Sequence, residues 1–311
     1  MTRGRFVAVA GVAGLAIVAT IMGAAILVQG TQAGRYQDLT TLFQEFTTFE
    51  RPELVNGAPD YTAAAMATQQ AELKTYQARL AALDPTDWPV EQQVDHALVR
   101  AQMNGLDFNL RVLQPWARDP AFYKSLWTEK SDTPAHEGPT HHAVVEEWAY
   151  DFPLSTTDEA RLARELASIA PLLTQARLNL VGNARDLWVT GVGTMQEQVA
   201  ELRSLAERTA SAGSELKQAI EAATTATGDF VAWLEAQASS KTGPSGLGKE
   251  QYSWSLQNVH LIPMTWEEEV TLLKRELARA HSSLRLEEQR NLGKPQLTAV
   301  ADEAEYLQRA N

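Results

Sequence analysis

The sequence contains no cysteine, and this absence excludes several kinds of site. Without a thiol the chain cannot form a disulfide, a thiolate nucleophile, a cysteine zinc site or the acylated cysteine of a bacterial lipoprotein. Positive charge is also scarce, because 27 Lys and Arg face 39 Asp and Glu and leave a net charge of −12. That balance argues against a general nucleic-acid binder, so we predict no nucleic-acid partner.

Strand-like patterning is missing as well, since no segment alternates polar and apolar residues for long enough to predict a strand. The chain has helical periodicity instead. The predicted helices cover 35–49, 61–83, 92–111, 120–127 and 155–180, with further helices around Met195, around Leu216, after Thr265 and over 296–310. Ser155 and Thr265 each begin a predicted capping box. We therefore predict an all-α fold, with an N-terminal transmembrane or signal helix followed by a multi-helix domain.

The N-terminus carries the signal for cellular location. Arg3 and Arg5 precede an uncharged run of 23 residues, 6–28, and about 20 apolar residues suffice to cross a bilayer. A cleaved signal peptide usually has a shorter apolar region, although Thr31 to Ala33 would make an acceptable cleavage site. We predict residues 1–33 as a membrane anchor or signal segment, with the anchor favoured. Residues 34–311 then form a helical domain in the bacterial cell envelope, on the outer side of the cytoplasmic membrane.

The helix predicted over 92–111 lacks both Lys and Glu, the residues most often used to solvate a helix surface. Its first apolar stripe comprises Val94, Leu98, Ala101, Gly105, Phe108 and Val112, and its second comprises Val99, Met103, Leu106, Leu110 and Leu113. A polar strip runs between them, formed by Gln93, His96, Arg100, Asn104, Asp107 and Arg111. A helix that is apolar on two sides is expected to pack on two sides. The strip would then face a cleft, a buried network or a narrow window of water.

Residues just past this helix allow two interpretations. Trp116, Arg118, Asp119 and Tyr123 could rim the same cleft as the polar strip. They could equally form a junction network that ties neighbouring helix ends together. Both readings stay open on the sequence alone.

Two local motifs resemble binding sites. Residues 241–250, KTGPSGLGKE, approach a phosphate-binding loop, but Glu250 replaces the hydroxyl residue and a helix precedes the loop, so a glycine-rich helix connection is predicted. His142 and Glu146 stand four residues apart, with His136 and His141 nearby, so a surface metal site competes with a polar loop that runs into a helix start. The sequence contains no H-E-x-x-H motif. No catalytic residue, cofactor-binding residue or metal ligand is therefore assigned.

Three segments carry a family resemblance, at 83–123, 151–180 and 243–270. They read LDPTDWPVEQQVDHALVRAQMNGLDFNLRVLQPWARDPAFY, DFPLSTTDEARLARELASIAPLLTQARLNL and GPSGLGKEQYSWSLQNVHLIPMTWEEEV. The last is the most specific, through Gly248, Lys249, Tyr252, Leu256 and His260. The chain resembles the N-terminal half of the domain-of-unknown-function 885 family, exported bacterial proteins that are similar to helical zinc metallopeptidases.

The resemblance implies a helical clamshell with a substrate groove between two halves, in proteins about twice this length. It places the histidines and glutamate that would hold zinc beyond residue 311, so zinc is expected only with a C-terminal half. We predict the groove-forming half of a metallopeptidase-like protein, inactive alone, with membrane contact through residues 6–28 and a peptide-like substrate. Its speculative groove contacts are Arg100, Asp107, Arg111, Trp116, Arg118, Tyr252 and His260. The alternatives are a complete non-catalytic envelope protein that binds a partner or cell-wall ligand, and the product of a truncated gene.

Overall fold

The computed structural model describes residues 35–130, 141–295 and 298–310. The α-helices are α1 (35–49), α2 (Ala63–Ala81), α3 (Val90–Phe108), α4 (Pro115–Arg118), α5 (Thr156–Leu166), α6 (Ile169–Asn179), α7 (Arg185–Arg208), α8 (Ser214–Ala238), α9 (Lys249–Asn258), α10 (Trp266–Arg290) and α11 (Glu303–Ala310). Strands β1 (Leu54–Val55) and β2 (Ala58–Pro59) pair antiparallel, and β3 (Leu126–Trp127) and β4 (Val145–Glu146) pair parallel. The predominantly helical fold is confirmed.

The chain divides into two compact units, one ending at Leu261 and the other beginning at Ile262. The core of the first unit is centred on α7 and α8. Trp188, Met195 and Leu202 recur every seven residues along α7 and are fully buried, as an amphipathic helix requires. On α8, Leu216, Ile220 and Phe230 are buried in the same core.

The segment from Pro120 to Trp127 differs from the prediction of a single helix. Only Pro120–Tyr123 is helical, as one 3₁₀ turn, and the chain then extends into β3. The reason is a tertiary contact, because the side-chain oxygen of Gln198 on α7 accepts hydrogen bonds from the backbone N–H groups of Ser125 (2.5 Å) and Leu126 (3.1 Å). Those donors are therefore not available to continue a helix.

The predicted helix over 155–180 is also wrong in its continuity, since α5 ends at Leu166 and α6 begins at Ile169. Pro171 accounts for the break. It has no N–H, and its ring would clash with the carbonyl of Ala167 in a continuous helix. At the start of α5, the Ser155 hydroxyl accepts from the Asp158 N–H at 3.1 Å, as expected for an N-cap.

The predicted anchor or signal segment, residues 1–33, lies outside the described residues. Within the ranges that the structure describes, no helix has both the length and the apolarity that a bilayer crossing needs. The second unit contains α10, whose capping box at Thr265 and Glu268 is confirmed. The apolar side of α10 is solvent-exposed, including Leu273, Leu277 and Leu284.

Candidate functional site

A cleft of about 840 Å³ lies in the first unit between α1 and α3. One wall comes from α1 and the residue after it and the other from α3 and the residue after it, with single contributions from the segment before β4 and from the residue that follows α9. The cleft is lined by Tyr36, Leu39, Thr40, Phe43, Glu50, Asp95, Leu98, Val99, Ala101, Gln102, Gly105, Leu106, Asn109, His142 and Val259. Apolar and polar residues contribute almost equally to this lining, and a cleft that combines apolar surface with hydrogen-bonding groups can bind a ligand.

The apolar wall on α3 comes from the first predicted stripe, and it corrects the expectation that α3 packs on both sides. Leu98 is 53% exposed and Val94 is half exposed, while Ala101 on the same stripe is buried. Gly105 lies beside the end of α9, where an added Cβ would be 3.4 Å from the Cγ1 of Val259. The second stripe does pack, with Val99, Met103 and Leu110 in the core of the unit. On the first stripe Phe108 is buried and its ring stacks on that of Trp254, so α3 is uncovered only over the N-terminal part of that stripe.

The polar strip of α3 makes contacts within the protein and does not line the cleft. His96 is buried, and its Nε2 lies 3.4 Å from the carbonyl oxygen of Leu80. The Asn104 side chain donates to the carbonyl of Asn258 at 3.1 Å, and that of Gln93 donates to the carbonyl of Trp88 at 2.8 Å. These bonds join α3 to α2, to the α2–α3 connection and to α9. Half of the strip therefore forms a structural network, and its middle part also lines a hollow between α2 and α3.

A tyrosine and an aspartate meet on opposite walls of the cleft. The Tyr36 hydroxyl on α1 donates to Oδ2 of Asp95 on α3 at 2.7 Å. That hydrogen bond, with the nearby carboxylate charge, raises the pKa of the Tyr36 hydroxyl, which keeps it a donor. The pair therefore joins the two walls and leaves the second oxygen of Asp95 free to accept another bond.

Glu50, immediately after α1, supplies a second carboxylate. The Glu50 backbone is fixed, because its N–H donates to the Phe46 carbonyl at 2.9 Å and its carbonyl accepts from the Gln69 side chain at 3.0 Å. Partial burial raises the pKa of the Glu50 carboxyl, while the neighbouring Arg51 charge lowers it. Among the described residues, no side chain donates a hydrogen bond to this carboxylate.

His142 lies at the cleft with its imidazole held by Tyr61. The Tyr61 hydroxyl accepts from the His142 backbone N–H at 3.0 Å and lies 2.9 Å from Nδ1. These two contacts fix the orientation of the imidazole ring. Burial lowers the pKa of His142, and the charge of Arg51 lowers it further. The ring is therefore neutral at pH 7.

The predicted groove contacts on α3 lie away from the cleft. Arg100 lines a separate hollow of about 660 Å³ between α2 and α3. Asp107 pairs with Arg111 one turn later at 3.2 Å, and the Arg111 guanidinium lies 5.6 Å from the centre of the Trp254 ring. These side chains thus join α3 to α9 at the surface.

The other predicted contacts are dispersed. Trp116 is buried, and its carbonyl accepts from the Tyr123 hydroxyl at 2.8 Å. Arg118 donates to the carbonyl of Ser245 at 3.2 Å. Tyr252 on α9 and His260 just after it are exposed. None of the seven is among the described residues that line the α1–α3 cleft, so their ligand contacts stay predictions.

A serine and a histidine lie close together in the core, yet they do not form a nucleophile–base pair. Ser125 Oγ is 3.2 Å from His141 Nε2, and both residues are buried. The His141 Nδ1 accepts from the Ala143 N–H, so the ring proton is on Nε2 and faces the Lys124 carbonyl at 3.0 Å. The serine hydroxyl donates to the Tyr123 carbonyl. Each proton is thus directed at a carbonyl, and the pair is structural.

The alternative of a surface metal site at His142 and Glu146 finds no support in the described residues, where no three His, Asp or Glu side chains form a group that could hold a metal ion. Glu146 is in strand β4 and not on a helix with His142. Glu147 is buried and pairs with Arg208. His136 lies outside the described residues.

The glycine-rich segment, residues 241–250, connects helices, as its sequence predicted. The Gly243 N–H donates to the Asn183 carbonyl at 2.8 Å, and a Cβ on Gly243 would lie 2.6 Å from that oxygen. The Ser245 hydroxyl accepts from the Asp186 N–H at 2.8 Å, at the start of α7. Gly248 adopts a φ of +83° before α9. The loop therefore caps α7 and begins α9.

Sequence reasoning missed the cleft residues on α1. Tyr36, Leu39, Thr40 and Phe43 follow an i, i+3, i+4, i+7 pattern, which marks one helix face but does not reveal whether that face is covered. His142 and Val259 join the cleft from distant parts of the chain, and no local pattern predicts their arrival. Only the tertiary structure could assemble this site.

The solved structures include a protein of similar fold, a candidate lipoprotein of unknown function from Shewanella oneidensis. The two share 16% sequence identity with a TM-score of 0.55, over 89% of this chain and 50% of that one. The chain thus spans about half the length of that structure. No protein with a curated description matches this chain. Residues 51–311 match the model of the family described as "Bacterial protein of unknown function (DUF885)", and the chain therefore belongs to this family.

Proposed function

We propose that this chain is the groove-forming half of an exported, metallopeptidase-like protein, and that the α1–α3 cleft binds a peptide-like substrate. The cleft is the observation that carries the proposal. It presents the exposed Leu98 and the partly buried Phe43 and Leu106 beside several hydrogen-bonding groups, a combination that suits a peptide.

The length of the cleft supports an extended ligand. Tyr36 on α1 and Glu50 just after it are fourteen positions apart, as are Asp95 on α3 and Asn109 just after it. At 1.5 Å per helical residue each wall is about 21 Å long. An extended peptide of about six residues has the same length. Asn109 and Gln102 supply amide groups that can bond to its backbone.

The exposed apolar side of α10 supports the second part of the proposal, that this chain is half of a larger fold. Leu273, Leu277 and Leu284 recur on one side of a 25-residue helix, and all three are more than half exposed. Such a patch is unusual on a finished soluble surface. The similar solved structure is about twice as long as this chain, which offers a polypeptide that could cover the patch.

The envelope location rests on residues 6–28. The similar structure is described as a candidate lipoprotein, but this chain has no cysteine to acylate. We propose that the uncharged N-terminal run directs the chain to the membrane and exports the remainder.

Zinc is the metal that the resemblance implies, and the described residues do not fit it, because they contain no suitable group of three ligands. We therefore assign no step of hydrolysis to this chain, and propose that any catalytic metal is held by the other half. The purified chain should neither bind zinc stoichiometrically nor cleave peptides. Zinc bound one to one, together with peptidase activity, would contradict the proposal.

Calorimetric titration with a hexapeptide of alternating leucine and alanine tests the cleft. Leu98→Asp should weaken binding at least tenfold, because it places a carboxylate on the apolar wall. Leu178→Asp is the matched control, since Leu178 is 77% exposed on α6 and does not line the cleft. Equal binding by both variants, or no binding by the unaltered chain, would remove the cleft from the proposal.

A complete, non-catalytic envelope protein is the rival, and the same cleft would serve it. The two proposals differ in whether a further polypeptide covers the apolar side of α10. If this chain is a half, the polypeptide that follows its relatives' equivalent of α10 should bind it when supplied separately and protect α10 amides from hydrogen exchange. A complete binding protein would show no such protection.

A further inference from the structure

The charged side chains among the described residues that line the α1–α3 cleft are of one sign. Its described lining contains the carboxylates of Glu50 and Asp95 and the imidazole of His142, with no Lys or Arg. His142 is neutral at pH 7 because burial and Arg51 lower its pKa. The cleft therefore offers acceptors for a cation and no positively charged partner for an anion.

The two carboxylates are not equivalent. Asp95 already accepts a 2.7 Å hydrogen bond from the Tyr36 hydroxyl, whereas no described side chain donates to Glu50. Arg51 is not among the residues that line the cleft; it lines a separate hollow with Glu53, Asp60 and Glu72, although its charge reaches Glu50 and lowers the pKa of that carboxyl.

The backbone adds negative potential at Glu50. The residue follows directly on α1, so the last carbonyl groups of that helix, which carry partial negative charge, are its neighbours. Gln69 satisfies only part of this set of carbonyl groups, through a 3.0 Å hydrogen bond to the Glu50 carbonyl. A half-buried carboxylate at a helix C-terminus is unfavourable in the empty cleft, and an incoming cation relieves that cost.

We propose that Glu50 binds the primary ammonium group of the ligand, at the end of an apolar chain that lies along Leu98, Ala101 and Leu106. The ammonium would donate to the Glu50 carboxylate while the adjacent apolar side chains cover the α3 wall. This inference rests on the proposed function, since it concerns the same cleft. It makes the preferred substrate a peptide with a free amine beside apolar residues. The amine could belong to the N-terminus or to a lysine side chain.

Three forms of one peptide separate these sources by calorimetric titration. The probes are the hexapeptide of alternating leucine and alanine with a free N-terminus, the same peptide N-acetylated, and the N-acetylated peptide with lysine in first position. We expect the free N-terminus to bind about tenfold more tightly than the acetylated form, as one additional half-buried charged contact allows. If only the lysine peptide binds tightly, the ammonium group that Glu50 binds belongs to a side chain, and the proposed ammonium site is supported.

Two variants assign the preference to Glu50. E50Q should bind the free and acetylated peptides equally, because it keeps the shape of the side chain and removes its charge. D38N is the matched control on α1, since Asp38 is exposed and does not line the cleft, and it should keep the tenfold preference. A preference that survives in E50Q would overturn the assignment to Glu50.

The outcomes also separate this inference from the proposed function. If the unaltered chain binds all three peptides with equal affinity, the ammonium site is wrong and the peptide-binding cleft stands. If it binds none of them, the cleft proposal fails and the ammonium site fails with it.

Discussion

Leu202 and Leu98 show the contrast between the closed and open sides of the first unit. The closed side consists of α7, α8 and the segment 120–127 packed against them, and the open side consists of the α1–α3 cleft. Leu202 on α7 is completely buried, whereas Leu98 on α3 is 53% exposed. Apolar surface that the chain covers itself stabilises the fold, and apolar surface left uncovered is available to a ligand. A leucine on the closed side therefore contributes to stability, whereas a leucine on the open side is available for ligand binding.

The largest effect on stability should come from truncating a buried side chain on the closed side. Leu202→Ala leaves a cavity in a core whose neighbours cannot fully collapse, and we expect a loss of about 3 kcal/mol in unfolding free energy. Chemical denaturation followed by circular dichroism measures it. A loss below about 1 kcal/mol would show that α7 and α8 are not the tightly packed core described above.

Adjacent histidines offer the next test, because His141 packs into the closed side and His142 lines the cleft. Burial lowers the pKa of His141 to about 4 from an ordinary value of 6.5. The folded state then binds this proton less readily than the unfolded state. Stability should be complete above pH 6.5 and fall as pH drops towards 4, by on the order of 3 kcal/mol.

His141→Gln removes this titration and keeps a donor and an acceptor. Unfolding free energies measured between pH 6.5 and pH 4 should decline less steeply in the variant than in the unaltered chain. Identical slopes would mean that His141 is not held neutral by the closed side.

Two glycines on α7 should give smaller changes in stability, of opposite sign. A Cβ on Gly191 would lie 2.6 Å from the Cβ of Pro120, while a Cβ on Gly193 would meet nothing within 4 Å. Gly191→Ala should therefore destabilise by about 2 kcal/mol through overpacking. Gly193→Ala should stabilise by up to about 1 kcal/mol, because alanine is the better helix former. Thermal melts of both variants measure the contrast, and equal shifts in Tm would contradict the packing of Pro120 on α7.

Sequence patterns identified the closed side well and the open side poorly. The spacing of Trp188, Met195 and Leu202 fits an amphipathic helix, and such helices nearly always bury their apolar face. The same reasoning applied to α3 predicted packing on both sides and missed the exposure of Leu98. Periodicity shows which residues share a face, but the neighbour that covers the face comes from elsewhere in the chain. The helix break before Pro171 can be predicted from the sequence, because proline disfavours a helix interior, whereas the contact of Gln198 with Ser125 cannot.

The smallest effect on stability should come from the open side. Leu98→Ala removes atoms that are half in water and leaves no enclosed cavity, so we expect a loss below about 1 kcal/mol in unfolding free energy. The comparison with Leu202→Ala uses one chemical change in two environments. Losses of similar size would show that the cleft is closed in solution.

The absence of cysteine allows the central claim, that the α1–α3 cleft binds a peptide, to be measured directly. A single environment-sensitive fluorophore can be attached at Gln102→Cys on the cleft wall, or at Leu178→Cys on α6 as the control. Titration with the free-amine hexapeptide should shift the emission of the cleft label to shorter wavelength and leave the control label unchanged. No shift at position 102, or equal shifts at both positions, would contradict the account.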